Sequence, residues 1–199
     1  MNEDLAARVA ALHGGPLADL TDPATVTDSE LAFHGKVWDI RRDTFELEPG
    51  HPIVREYTDH TGAVAVLAMG ADGTVLLINQ YRHPIGEYEW ELPAGLLDVA
   101  GEPPLAAAQR ELAEEVDLAA ETWSELITFH TSPGGSNEVL HVYRAEGLTP
   151  TSAFARTEEE AQIVVRWAPL QEVVEAVLAG RLRNSILIVA VLAAHAQRR

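Results

Sequence analysis

One stretch constrains this chain more than any other: Glu91-Leu92-Pro93-Ala94-Gly95, then Glu102, Pro103-Pro104 and Arg110-Glu111-Leu112-Ala113-Glu114-Glu115. Proline belongs at the first position of a helix, so the Pro-Pro pair predicts a helix running to about Val116. On that helix Glu111 and Glu115 lie four residues apart, and Glu114 lies three from Glu111, so all three project from one narrow face. Like charges at this spacing repel one another and weaken a helix. Two readings are open. The face is simply solvated, or a divalent cation sits among the carboxylates. With no cysteine in the chain, thiolate sites and disulfides are excluded, and oxygen ligation selects Mg²⁺, Mn²⁺ or Ca²⁺.

The surrounding sequence sets this helix in an α+β frame. Residues 1–30, with Gly14-Gly15-Pro16 and Pro23, read as a loosely ordered or partly helical leader. Val37 to Leu47 alternates as a strand, Pro49-Gly50 marks a turn, and Ile53 to Tyr57 is a second strand. These elements form a small N-terminal sheet that is marginal by itself and needs a partner surface. Ala63 to Met69 is an apolar strand, Asp72-Gly73 its hairpin turn, and Val75 to Tyr81 the return. Glu89 to Leu92 is a short strand, and Ala94 to Gly101 reads as a loop. After the helix, Trp123 to His130, Val139 to Ala145 and Gln162 to Trp167 read as strands. A helix over Leu170 to Ala179 stops at Gly180, and Asn184 caps a final apolar helix. Strands, helix, strands and helices in this order point to a sandwich with a mixed sheet and not to a regular βαβ repeat. The expected division is a leader and small β subdomain over 1–58, with the main domain over 59–199.

Charge narrows the partners. The formal net charge is −17, from 31 acidic and 14 basic residues. Such a field repels nucleic acid and anionic membranes, and a small phosphorylated ligand would need cations or arginines at its site. Acidity that merely keeps the protein soluble accounts for the same number. The N-terminus lacks the pattern of a signal peptide, and the longest apolar run, Ile186 to Ala194, is far short of a membrane span. The expected compartment is the cytoplasm.

At this point the sequence resembles the Nudix box. That pattern is a glycine, five residues, a glutamate, seven residues, then Arg-Glu-aliphatic-any-Glu-Glu-any-Gly-aliphatic. Gly95, Glu102, Arg110, Glu111, Leu112, Glu114, Glu115 and Leu118 fall on its specified positions. There are two departures. Six residues separate Gly95 from Glu102, an insertion in the loop before the helix, and Asp117 stands where the pattern has glycine. Aspartate is among the few residues that tolerate the left-handed conformation a helix stop requires.

The resemblance implies a Nudix fold, an α/β/α sandwich with a mixed sheet. It also implies roles for matching positions. Glu111 and Glu115, with the backbone carbonyl of Ala94, would hold metal, two or three Mg²⁺ ions with Mn²⁺ as the alternative. Arg110 would orient the carboxylates, Glu114 would serve the same catalytic cluster, and Glu102 would anchor loop to helix. Over residues 35–199 the likeness narrows to the ADP-ribose pyrophosphatase branch, through Gln80-Tyr81-Arg82, Trp90 to Gly95, and Pro133 fifteen residues after Leu118. In that branch the loop Ser132 to Glu138 would meet substrate. Pro133, Gly134 and Leu96 are candidate contacts, and Glu138 would reach the terminal ribose. The triplet Glu158-Glu159-Glu160 would lie on a mobile loop, with Glu160 as ligand and base and Glu158 or Glu159 as the fallback. Arg55 and Arg82 are the candidate cations for nucleotide and phosphate.

The implied reaction is hydrolysis of the diphosphate bond of ADP-ribose to AMP and ribose 5-phosphate by metal-activated water. The implied assembly is a homodimer that exchanges its N-terminal sheets. Other nucleoside diphosphate sugars or dinucleotide coenzymes share the box and stay open as substrates. A nucleotide-sensing module of the same fold would have lost box carboxylates, and this chain keeps Glu111, Glu114 and Glu115. An acidic Ca²⁺-binding domain would carry an Asp-rich calcium loop, and none is present. The eight histidines form no metal-spaced pair and read as structural.

Overall fold

The centre of the molecule is β4 (Ala63–Ala68), whose six residues are all buried. A strand so placed must satisfy apolar side chains on both faces, and the alternation of the pleat divides them. Ala63, Ala65 and Leu67 face one cluster, shared with Val173, Val174, Leu187 and Val191. Val64, Val66 and Ala68 face another, shared with Ala107, Ala108 and Leu112. Three helices carry these residues: α1 (Pro104–Val116), α2 (Leu170–Leu178) and α3 (Ser185–Gln197). Helix α1 therefore covers one face of the sheet, and α2 and α3 cover the other. In a computed structural model, residues 16–152 and 162–197 are described.

Around β4 the sheet is mixed. It runs β7 (Ala94–Leu96), β4, β9 (Val139–Pro150), β8 (Leu118–His130), with β4 and β9 parallel and the other pairs antiparallel. A second, antiparallel sheet has the order β10 (Val164–Pro169), β5 (Thr74–Arg82), β6 (Glu87–Glu91). The two meet at the hairpin joining β4 to β5, where Gly73 takes a positive φ of 83° and the Asp72 carboxylate accepts the backbone N–H of Thr74 at 3.1 Å. An N-terminal sheet of β1 (Thr25–His34), β2 (Asp39–Glu46) and β3 (Pro52–Asp59) precedes both.

Three elements differ from the sequence reading. Strand β1 occupies part of what reads as leader. Every one of its residues is exposed, so no buried alternation marks it, and two register shifts interrupt its pairing with β2. The segment after Pro93 reads as a loop, yet Ala94–Leu96 pairs with Ala63–Ala65 as β7. Strand β8 begins at Leu118, directly after the helix. The turn into it is made at Asp117, whose φ of 56° and ψ of 38° are left-handed and whose N–H reaches the Ala113 carbonyl at 3.0 Å. Helix α3 is apolar all round, which suits its burial between α2 and the sheet. The Asn184 side chain caps it by accepting the Leu187 N–H at 3.0 Å. Among the described residues no helix is long and apolar enough to cross a membrane.

Candidate active site

Helix α1 is held to the sheet by Ala107, Ala108 and Leu112, all fully buried. That docking carries its acidic face against β7. Glu115 is only 6% exposed, and its carboxylate accepts the backbone N–H of Ala94 at 2.9 Å. One turn earlier the Glu111 carboxylate lies directly over Gly95. A Cβ at residue 95 would stand 2.0 Å from the Glu111 carboxyl carbon, so this approach requires glycine. Two of the three glutamates thus converge on one three-residue strand and do not form a solvated face. Glu114 is the outermost, with 41% of its side chain exposed.

Arg110 binds the cluster together. Its Nε and Nη2 grip the two oxygens of Glu102 at 3.1 and 2.9 Å, and its Nη1 donates to Glu111 at 2.6 Å and to Glu114 at 3.2 Å. One planar cation therefore touches three carboxylates, with the forked geometry that lysine lacks. The hydrogen bonds to Glu102, with the charge of Glu111 adding to them, hold the guanidinium pKa well above its ordinary value, against the opposing effect of burial. In return Arg110 holds the Glu102 carboxyl below the usual range. Glu102 sits just before the helix, so this contact ties the inserted loop to α1.

The donors here are all oxygen: two carboxylates and the carbonyls of β7. That chemistry suits a hard divalent cation. Among the described residues, no three His, Asp or Glu side chains converge into a complete ion site. Glu158, Glu159 and Glu160, from which a further ligand and base are expected, lie outside the described residues.

A cleft of about 570 Å³ opens beside the N-terminal sheet, in the size range of small-molecule pockets. Its lining brings Arg55 together with Pro133 and Gly134, and adds Tyr57, His130 and Asn137. Burial first, and the Asp43 carboxylate next, push the Tyr57 phenol up, so it presents a protonated hydroxyl. The Arg55 Nη1 donates to the Val54 carbonyl at 2.7 Å. Glu138, at the end of the same loop, accepts a hydrogen bond from the Thr131 hydroxyl and faces His60 Nε2 at 3.3 Å.

Two of the expected contacts have partners within the protein. The Arg82 guanidinium is bidentate on Glu91, at 2.8 and 2.7 Å, and that carboxylate is buried and accepts also from Gln80. Leu96 packs against the main core cluster from β7. For two residues near the cleft, the sequence gave no sign of the partners that the fold supplies. His60, stacked on Trp38 with ring centroids 4.1 Å apart, and Asn137, which bridges to Asp59, have partners too distant along the chain for any local pattern to show.

Comparison with known proteins agrees with this arrangement. A domain model described as the NUDIX domain matches residues 59–187. An ADP-ribose pyrophosphatase of Mycobacterium tuberculosis is 46% identical over 168 residues, covering 84% of this chain and 81% of the relative. A methanol dehydrogenase activator of Bacillus methanolicus is 35% identical, covering 82% and 88%. An ADP-ribose pyrophosphatase of Bacillus subtilis is 36% identical, covering 74% and 80%. In fold, the chain superposes on a crystal structure described as an ADP compounds hydrolase with a TM-score of 0.77, at 21% identity, over 90% of this chain and 96% of that one. With the acidic helix face, the glycine beneath it and the arginine across it, these matches show that the chain belongs to the Nudix family.

Proposed function

We propose that this protein hydrolyses the diphosphate bond of ADP-ribose, giving AMP and ribose 5-phosphate. The observation that carries the reading is the convergence of Glu111 and Glu115 on Ala94 and Gly95, with Arg110 holding Glu111 in place. Two relatives named ADP-ribose pyrophosphatase, one of them 46% identical, support the substrate.

Glu111, Glu115, the Ala94 carbonyl and Glu160 would hold two or three divalent ions, Mg²⁺ first and Mn²⁺ as the alternative. Such ions neutralise a diphosphate and make water acidic enough to attack near neutral pH. The chain supplies the rest. Arg55 and the loop carrying Pro133, Gly134 and Glu138 hold the two ends of the substrate. Arg110, in contact with Glu102, Glu111 and Glu114, fixes the carboxylates before substrate arrives, so little reorganisation remains at the moment of reaction. Glu160, or failing it Glu158 or Glu159, takes the proton from the attacking water. The water oxygen joins one phosphorus in line with the bridging oxygen, and that P–O bond breaks.

We also propose a homodimer built through the N-terminal sheets. Strand β1 is exposed along its whole length and displays Val26, Leu31 and Phe33, each more than half accessible. Light scattering on the full chain tests it, and a monomer at micromolar concentration would refute it.

The deciding experiment is a product assay across a panel of nucleoside diphosphate compounds with Mg²⁺, run on the parent and on Glu115→Gln. The expected result is AMP from ADP-ribose, a preference for that substrate, and a loss of at least a hundredfold in the variant. Equal turnover by both proteins would remove the role of Glu115. A preference for GDP-mannose or NADH would defeat the substrate assignment and leave the chemistry standing.

A further inference from the structure

The turn between β3 and β4 holds a histidine that the proposed chemistry does not use. His60 has only 8% of its side chain exposed, and one ring face and both ring nitrogens have partners. One face of the ring stacks on Trp38 at 4.1 Å, with 21° between the planes. Nδ1 accepts the backbone N–H of Gly62 at 2.9 Å, so in the neutral ring the proton lies on Nε2. Nε2 lies 3.3 Å from one oxygen of Glu138, while the other oxygen accepts from the Thr131 hydroxyl. The tautomer is thus set by the backbone, and it leaves Nε2, the ring nitrogen beside Glu138, as the donor.

The backbone repeats the link. The His60 N–H donates to the Asn137 carboxamide oxygen at 2.7 Å, and Asn137 returns its amide to Asp59 at 2.8 Å. The Thr58 N–H reaches the Gly135 carbonyl at 2.9 Å, and the Asn137 N–H reaches the Thr58 carbonyl at 3.3 Å. On the far side the Gly62 carbonyl accepts the Leu97 N–H at 3.0 Å, adjoining the strand on which Glu111 and Glu115 converge. One short turn therefore touches the N-terminal sheet, the loop ending at Glu138, and the segment after Gly95.

We infer that His60 is a positioning residue that aims the Glu138 carboxylate at substrate and fixes the 132–138 loop relative to the carboxylate cluster. The inference rests on the proposed substrate-binding role of Glu138. It assigns His60 to specificity and binding, with no part in proton transfer.

The test uses two side chains that each keep half of the histidine's connections. Asparagine reaches about as far as Nδ1 and can still accept from Gly62, but it offers no donor to Glu138. Glutamine reaches about as far as Nε2 and keeps that donor. With ADP-ribose and Mg²⁺, His60→Asn is expected to raise KM about tenfold and leave kcat within threefold, as befits a lost polar contact with a charged group. His60→Gln is expected to restore KM to within threefold of the parent. Glu138→Ala should raise KM likewise, and adding His60→Asn to it should change KM no further. Equal KM for the asparagine and glutamine variants, a fall in kcat alone, or additive effects in the double variant would overturn the inference. Amide hydrogen exchange separates this from failure of the substrate assignment. Even if the parent does not cleave ADP-ribose, Thr58 and Asn137 should exchange about tenfold faster in His60→Asn than in His60→Gln. Unchanged exchange in both would refute the positioning role itself.

Discussion

The close approach of Glu111 to Gly95 lets one methyl group probe the whole cluster. In Gly95→Ala the new Cβ would lie 2.0 Å from the Glu111 carboxyl carbon and 2.1 Å from one of its oxygens, where ordinary contact begins at 3.4 Å. The carboxylate must therefore retreat by about 1.4 Å. Residue 95 has no positive φ, so alanine suits the backbone, and the atom displaced is the end of a flexible side chain. Stability should fall only by the weakened Arg110–Glu111 contact, about 1–2 kcal/mol. Activity should fall far more, because a displacement of about 1 Å at a reacting centre costs roughly a hundredfold, or about 2.7 kcal/mol in the barrier. The assay is kcat/KM for ADP-ribose with Mg²⁺ across a cycle of Gly95→Ala, Glu111→Ala and the double variant. If the methyl acts by moving Glu111, adding it to Glu111→Ala should change little. An unchanged kcat/KM in Gly95→Ala, or additive losses in the double variant, would refute the reasoning.

Three further outcomes follow from the same geometry. Among the described residues, Arg82→Ala leaves the buried Glu91 carboxylate with only Gln80 as a side-chain hydrogen-bond donor, and chemical denaturation should show a loss of about 2–3 kcal/mol, discounted for the part-exposed arginine; a loss below about 0.5 kcal/mol would contradict the pairing. At the left-handed Asp117, glycine should be tolerated and Asp117→Ala should cost about 1 kcal/mol, so an alanine variant more stable than the glycine one would disprove the cap. Arg110 holds Glu102 below the ordinary carboxylate value of 4.5, so this pair stabilises the fold above that pH and loses its effect as pH falls through the depressed value. In metal-free protein, Arg110→Gln should flatten the dependence of melting temperature on pH below about 4.5, and an acid limb as steep as the parent's would remove the contact's role.

What the sequence made legible, and what it hid, divides by the range of the interactions. The helix with Arg110, Glu111 and Glu115 could be read because its spacing is local and its chemistry repeats every turn. The cap at Asn184 and the turn at Asp72-Gly73 are local in the same way. Strand β7 escaped because three residues carry no period, and its strand character comes from Ala63–Ala65, some thirty positions away. Strand β1 escaped because an exposed strand has no buried side to alternate with. His60 looked like any structural histidine, since Glu138, Asn137 and Trp38 meet it only after folding. The grip of Arg82 on Glu91 was hidden differently. Arg82 reads as a candidate cation for substrate, and only the fold shows that it also grips the buried Glu91 carboxylate.

The parallel pairing of β4 with β9 has a consequence for how the protein is made. Ala63–Ala68 leaves the ribosome some seventy-five residues before the segment that will lie beside it, Leu140–Ala145. Until then a wholly apolar strand has no neighbour on that edge, and the helix bearing Glu111 has no finished floor to rest on. The nascent chain thus passes through a long, adhesive stage before its centre closes. Chains cut short before residue 139 should collect in the insoluble fraction, and yield of the full chain should rise as growth is cooled and holdase chaperones are supplied.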